Sequence, residues 1–406
     1  MNKIKNEEEF LKEIYKIADY LIDISFKNDT YASWLNIATR LNFETNYSII
    51  EESDFSLING IIGDAIFFYT FYKVNQQKKY FNFAEKLYNT FVLQINESKK
   101  ENFQTGMLTG VGGVIYSILL IYEMTSDKRK LNDLDEFLKK VDLVDLIEND
   151  VNSSIVTGNA GLLVSLCKYI DYTKNKTLIN GLIEICAQKL MEKAILSSHS
   201  YMYWLPVHQQ KPLAGLAHGC SGYALAFHKT YQKTKKVEYK EIVEKTIYFE
   251  NTLFDKQIYN WIDNRDFAIN SFKIDTIAWS HGAPGIGLVR QTLLESNLYD
   301  NDFNELLKND LKNCLKKTID FGFTDNKDIL IYGKLGNLEL LLKQEAFKEI
   351  DLILQMILKS SKVYGWQFGF KMKDFCLPGF FQGSTGIAYQ LLRSIKNNIP
   401  SVLSFD

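Results

Sequence analysis

Seven times along this chain two glycines stand three residues apart: Gly60 and Gly63, Gly110 and Gly113, Gly158 and Gly161, Gly219 and Gly222, Gly282 and Gly285, Gly333 and Gly336, Gly383 and Gly386. Copies spaced by roughly 50 to 60 residues mean one supersecondary unit per copy. From Leu57 each unit reads alike. A helix charged on one face is followed by Gly-x-x-Gly and then by a more uniformly apolar helix, such as Ile66-Phe-Phe-Tyr-Thr-Phe-Tyr72 or Ile115-Tyr-Ser-Ile-Leu-Leu-Ile-Tyr122. A helix that is apolar nearly all round is buried, and one with a charged face lies outside. The alternation therefore predicts an all-α fold, an α/α toroid with an inner and an outer ring of helices, and seven copies suffice to close it. The glycines let loop backbones crowd at one end of the ring and tolerate a positive φ at a sharp entry turn. Helix starts at these loops direct unpaired N–H groups toward the centre.

The toroid is expected over 57–406, with 1–56 a helical and irregular segment that packs on the body or on a partner. Phe10, Ile14, Ile17, Leu21 and Ile24 alternate at spacings of four and three, which is one apolar helix face. From Asn28 to Asp54 no period is evident. Of the five prolines, Pro206, Pro212, Pro284 and Pro378 lie within or shortly before a Gly-x-x-Gly loop, and all five fall in the second half. The intervals ending at Gly219 and Gly282 are the longest. Function is therefore expected in that half.

With 406 residues and 46% hydrophobic content the chain can bury a large core. Its net charge of -2, with scattered Lys and Arg, speaks against nucleic-acid binding. No apolar run reaches the roughly 18 residues of a membrane span, and the start lacks a signal peptide's apolar core. Five cysteines without a Cys-x-x-Cys pairing suit a reducing, cytoplasmic setting. Cys167, Cys186 and Cys314 read as small buried apolar side chains.

The segments Pro212-Leu-Ala-Gly-Leu-Ala-His218-Gly-Cys-Ser-Gly222, Trp279-Ser-His-Gly-Ala-Pro-Gly285, Gly333-Lys-Leu-Gly-Asn337, Pro378-Gly-Phe-Phe-Gln-Gly383 and Pro400-Ser-Val-Leu403 resemble the lanthionine cyclase family. The similarity is greatest to the cyclase half of class II lanthipeptide synthetases, and it runs from about Leu57 to the end. The resemblance implies addition of a Cys thiol of a precursor peptide to dehydroalanine or dehydrobutyrine, closing a thioether ring. It also implies a zinc ion held by two Cys and one His. Those positions are Ser280, Ile331 and Tyr332 here. Zinc needs thiolate, imidazole or carboxylate donors, so no metal and no other cofactor is expected. The family's acidic residue ahead of the third repeat falls at Ser154. His218 matches the family's acid/base histidine, and His281 also matches. Class III relatives resemble the family while lacking the zinc ligands.

His218 and His281 are therefore the candidate catalytic residues, each with a plain structural role as the alternative. Trp279, Ser280, Tyr332 and Gln382 are the candidate peptide contacts. Trp279 reads first as a packing residue, and Tyr332 as a phenol filling the space zinc would take. A replacement metal site from His218, Cys220, His281 and Cys376 is a further option. Sugar hydrolysis, which other toroids perform with paired carboxylates, is weakly supported because Asp64 is the sole acid in the seven loops. Two functions remain open. One is a zinc-independent cyclase working with a precursor peptide and a separate dehydratase or synthetase partner. The other is a non-catalytic relative that holds a peptide or synthetase partner as scaffold or regulator.

Overall fold

The computed structural model describes residues 4–41, 46–99, 103–207, 209–368, 376–396 and 398–406. The chain opens with α1 (Glu7–Ile24), a short pair β1 (Phe26–Lys27) and β2 (Ala32–Ser33), and an antiparallel ribbon of β3 (Leu35–Leu41) and β4 (Asn46–Glu52). The ribbon corrects the aperiodic reading of 28–54. The two strands pair in register from Leu35 with Glu52 to Leu41 with Asn46.

Six helix pairs follow: α2 (Ile61–Asn75) with α3 (Lys78–Glu97), α4 (Val111–Thr125) with α5 (Lys128–Lys140), and, after the short α6 (Leu143–Asn149), α7 (Asn159–Tyr169) with α8 (Lys176–Glu192). The hairpin of β5 (Ile195–Leu196) and β6 (Met202–Tyr203) leads to α9 (Cys220–Thr234) with α10 (Val237–Asn251). The hairpin of β7 (Phe254–Asp255) and β8 (Asn260–Trp261) and the one-turn α11 (Asp266–Asn270) lead to α12 (Ala283–Glu295) with α13 (Asn301–Phe321). The sixth pair is α14 (Lys334–Lys343) with α15 (Phe347–Tyr364). The last helix, α16 (Ser384–Ile395), takes α1 as its outer partner.

The inner helices α2, α4, α7, α9, α12, α14 and α16 each touch the next, and α16 touches α2, so the ring closes. Burial follows the sequence pattern. Every residue of α4 from Val111 to Ile121 is buried, whereas α5 buries only Lys130, Leu134 and Phe137. The tail runs into the ring. Val402, Leu403 and Phe405 are buried, with Phe405 edge-on to Tyr116 and to Trp279.

At the loop end the seven repeats are joined by a closed collar of backbone hydrogen bonds. In each repeat the residue two before the first glycine donates its N–H to the same position in the next repeat. The circuit runs Ile58 to Leu108 (3.1 Å), Val156 (3.0 Å), Ala217 (3.4 Å), Ser280 (3.1 Å), Ile331 (3.1 Å), Phe381 (3.1 Å) and back to Ile58 (2.7 Å). The first glycine of each repeat caps an inner helix. Of these only Gly282 has a positive φ, 88°, and the other six are extended.

Close approach, rather than backbone angle, therefore explains the glycines. A β-carbon on the second glycine of each repeat would lie between 1.6 and 2.9 Å from the carbonyl oxygen of the residue six earlier. Nor is the first N–H of any inner helix free for the centre: Asn159 donates to Asp150 Oδ2 at 2.8 Å and Ala283 to Asn260 Oδ1 at 3.1 Å. Ile61, Val111, Cys220, Lys334 and Ser384 donate to the carbonyls of Asp54, Gln104, Leu213, Lys327 and Leu377, at 2.7 to 3.0 Å. The preceding loop turns back far enough to cap its own helix.

Gly386→Ala should consequently be strongly destabilising, because its β-carbon would meet the Phe380 carbonyl oxygen at 1.6 Å. Gly181 sits in α8 with nothing near its would-be β-carbon, so Gly181→Ala should gain about 0.5–1 kcal/mol from helix propensity. Thermal unfolding of the two variants checks this pair; equal melting temperatures would contradict the close-approach account.

Candidate active site

The collar brings the loops of the third, fourth and fifth repeats side by side. His218, in the loop before α9, places Nδ1 2.9 Å from Ser154 Oγ, in the loop before α7. His281, before α12, lies with its ring 6.1 Å from that of His218. Gly215, at φ 104°, makes this approach possible, since a β-carbon there would stand 3.0 Å from His281 Cα.

A buried ionic network braces the His218 loop against α12, the helix that His281 precedes. Glu250, on the outer helix α10, accepts the backbone N–H of Gly215 (2.8 Å) and of Ser221 (2.9 Å), and the Ser221 hydroxyl (2.7 Å). Its carboxylate pairs with Arg290 on α12 at 2.9 Å, and Arg290 pairs with Asp310 at 2.9 Å. Removing one member would leave a buried charge unpaired, which typically costs about 3–5 kcal/mol.

A second arginine, Arg265, stands near enough to both histidines for its charge to act on their rings. Arg265 grips Asp263 through Nε at 2.8 Å and through Nη2, and Asp263 also accepts the Thr276 hydroxyl at 2.6 Å. Burial, reinforced by the Arg265 charge, holds the His218 imidazole down at about 4. Burial likewise depresses His281 well below the ordinary histidine value; Arg265 adds to this and Asp263 opposes it. Both rings are therefore neutral at pH 7. Both ring nitrogens of His281 are buried without a hydrogen-bond partner among the described residues.

The backbones of the positions that the family resemblance assigns to zinc are neighbours, since Ser280 N–H donates to Ile331 O at 3.1 Å and Tyr332 follows Ile331. Their chemistry does not fit the metal. Ile331 has no donor atom, Ser280 offers a neutral hydroxyl, and the Tyr332 phenol accepts from Gln382 Nε2 at 2.9 Å. Burial raises that phenol's pKa further, which disfavours a phenolate ligand. Tyr332 is also no core filler. At 38% exposure it sits on the rim, in a chain of contacts through Gln382 to Asn59 Nδ2 at 2.6 Å.

Trp279 has no surface to offer a peptide: it is fully buried, and its indole N–H donates to Leu403 O at 2.9 Å. Ser280 is nearly as enclosed, leaving Tyr332 and Gln382 as the accessible pair among the expected contacts. The replacement metal cluster is not assembled. No three His, Cys, Asp or Glu side chains form a ligand set among the described residues, and Cys376 Sγ instead donates to Ser384 Oγ at 2.8 Å. Cys167, Cys186 and Cys314 are buried thiols. Asp64 lies in the seam where the ring closes, accepting from Gly379 N–H at 2.9 Å and the Thr385 hydroxyl at 2.6 Å.

Arg265, Asp263, Glu250 and Arg290 escaped the sequence reading. One signal was available: only five of the 47 cationic residues are arginine, and two of those five are Arg265 and Arg290.

The model of the lanthionine synthetase C-like proteins matches residues 51–406. The chain belongs to the lanthionine synthetase C-like family. Among curated proteins it is 25% identical to the lacticin 481/lactococcin biosynthesis protein LcnDR2 of Lactococcus lactis subsp. lactis, over 98% of this chain and 42% of that protein. It thus spans about two-fifths of that relative's length. Among solved structures, nisin cyclase superposes with a TM-score of 0.68 at 15% identity, covering 97% of this chain and 95% of that one. That likeness establishes a shared α/α toroid. No helix among the described residues is long and apolar enough to cross a membrane.

Since the backbones of these positions are neighbours and their side chains lack donors, the combined variant Ser280→Cys, Ile331→Cys, Tyr332→His should bind about one zinc per chain, and the unaltered protein should hold none in stoichiometric amount. Elemental analysis of both reads this directly, and zinc at one per chain in the unaltered protein would overturn the assignment.

Proposed function

We propose that this chain is a zinc-independent thioether cyclase that acts on a precursor peptide whose dehydroalanine or dehydrobutyrine residues come from a separate dehydratase or synthetase partner. The observation that carries the reading is the pair of neutral, buried imidazoles at the collar, one of them hydrogen-bonded to Ser154. A neutral imidazole is a proton acceptor before it is a donor. His218 therefore takes the proton of the substrate thiol as sulfur attacks the β-carbon of the dehydro residue. It then returns that proton to the α-carbon of the resulting enolate.

This role replaces the simple general acid expected from the sequence, because an imidazole held near 4 carries no spare proton at pH 7. It also answers the loss of zinc. A free thiol of pKa about 8.5 is a few per cent ionised at pH 7, so the missing activation amounts to roughly 2 kcal/mol plus positioning. A base within reach supplies part of that; general acid–base catalysis is worth about 10²- to 10⁴-fold.

A second reading, a non-catalytic relative that holds a peptide or synthetase partner, is favoured by one observation: the Tyr332–Gln382–Asn59 contacts tie the rim together where an open metal position would stand. Incubating the protein with a dehydrated precursor and following loss of free thiol separates the two. We expect ring closure by the wild type, a fall of about 10²-fold or more in His218→Ala with helical content unchanged, and a smaller loss in His281→Ala. The acid limb of the rate profile should lie near pH 4 rather than near 6.5, because protonation of His218 removes the base. Equal rates for His218→Ala and wild type would leave the holding role.

A further inference from the structure

The segment between β8 and α12 is pinned to both histidine loops and carries a cation that the proton shuttle does not use. Asn264 Nδ2 donates to Pro212 O, in the His218 loop, at 3.1 Å. Asp263 accepts from Thr276, whose carbonyl oxygen packs against Gly282 of the His281 loop. Arg265 is fixed between these anchors. Asp263 occupies its Nε and Nη2 edge, and the Phe267 ring lies 4.6 Å from the guanidinium carbon. Nη1 has no hydrogen-bond partner among the described residues, and the side chain retains 22% exposure. The result is a held, partly dehydrated guanidinium with one edge left for a ligand. Its charge acts on both neutral imidazoles.

A carboxylate partner that engages one edge fixes a guanidinium's plane without cancelling its use at the other edge. Thiol addition to a dehydro residue creates negative charge on one atom of the substrate that zinc would not have held, the carbonyl oxygen next to the alkene. We propose that Arg265 is the catalytic electrophile of the histidine site, holding through Nη1 the carbonyl oxygen of the dehydro residue as it becomes the enolate. This rests on the cyclase reading.

The step balances without a further reactant. The thiol S–H proton passes to the imidazole, the S–C bond forms at the β-carbon, and the alkene π pair moves to the carbonyl oxygen beside Arg265. It returns to the α-carbon when the imidazole delivers the proton there. One S–H and one C=C are consumed, and one C–S and one C–H are made. Preorganised donors aimed at a developing oxyanion typically contribute about 10²–10³ in kcat.

The test has two arms. With a dehydrated precursor, Arg265→Gln should close rings about 10²- to 10³-fold more slowly in kcat with little change in KM, and Arg265→Lys should recover part of the loss. In the absence of any peptide, acetate serves as the probe, a small anion that can pair with the free guanidinium edge. Titrating it while observing the His218 ring protons by NMR should give a saturable shift in the wild type that is lost in Arg265→Gln. Asp263→Asn keeps the arginine and loosens its mounting, so it should weaken both effects without abolishing them; it also covers the case in which Arg265→Gln fails to fold. Wild-type ring closure by Arg265→Gln, or an acetate response that it retains, overturns the inference and leaves the cyclase reading standing. A wild type that closes no ring removes the cyclase reading, and the enolate with it, whatever acetate binds.

Discussion

Seven backbone hydrogen bonds, each joining the same position of neighbouring repeats, carry the loop end of this ring. They are possible only because each second glycine lets the chain pass against the carbonyl of the residue six earlier, closer than a side chain permits. The collar is a cyclic constraint: a shift in one loop must be shared by the other six or break the circuit. Ser280 and Ile331 are themselves collar residues, so two of the positions that the family resemblance assigns to zinc are held by backbone pairing.

Histidine placement follows from the same circuit. His218 and His281 each stand one residue after a collar position, on Ala217 and Ser280, and those two are hydrogen-bonded to each other. The Glu250–Arg290–Asp310 network then ties the His218 loop to helices α10, α12 and α13. An ion network buried this deeply contributes little net stability, since desolvation offsets its attraction. What it provides here is orientation: the Glu250 carboxylate accepts two backbone N–H groups flanking His218.

Much of this was legible in the sequence. The glycine period gave the ring, and the contrast between uniformly apolar and one-sided helices gave its two layers, because burial on all sides leaves no polar face. Ser154, identified only through resemblance, lies at hydrogen-bond distance from His218. Other features were not readable. The collar is made of backbone groups, to which side-chain identity is nearly blind. The first N–H of each inner helix, expected to point free at the centre, is spent on a preceding segment. Arg265 lies in an insert whose sequence has no period, and Trp279, prominent as a motif residue, proves to be a buried anchor for the tail. The pairing of β3 with β4 is likewise made by backbone groups, and the sequence there shows no period.

The claim on which the account turns is that the collar and a neutral imidazole together stand in for the metal. Its most direct test is the rate of ring closure in a dehydrated precursor, measured for the wild-type protein with and without an excess of a zinc chelator. The account predicts closure at the same rate in both. Closure that stops in chelator and returns on addition of zinc would contradict it.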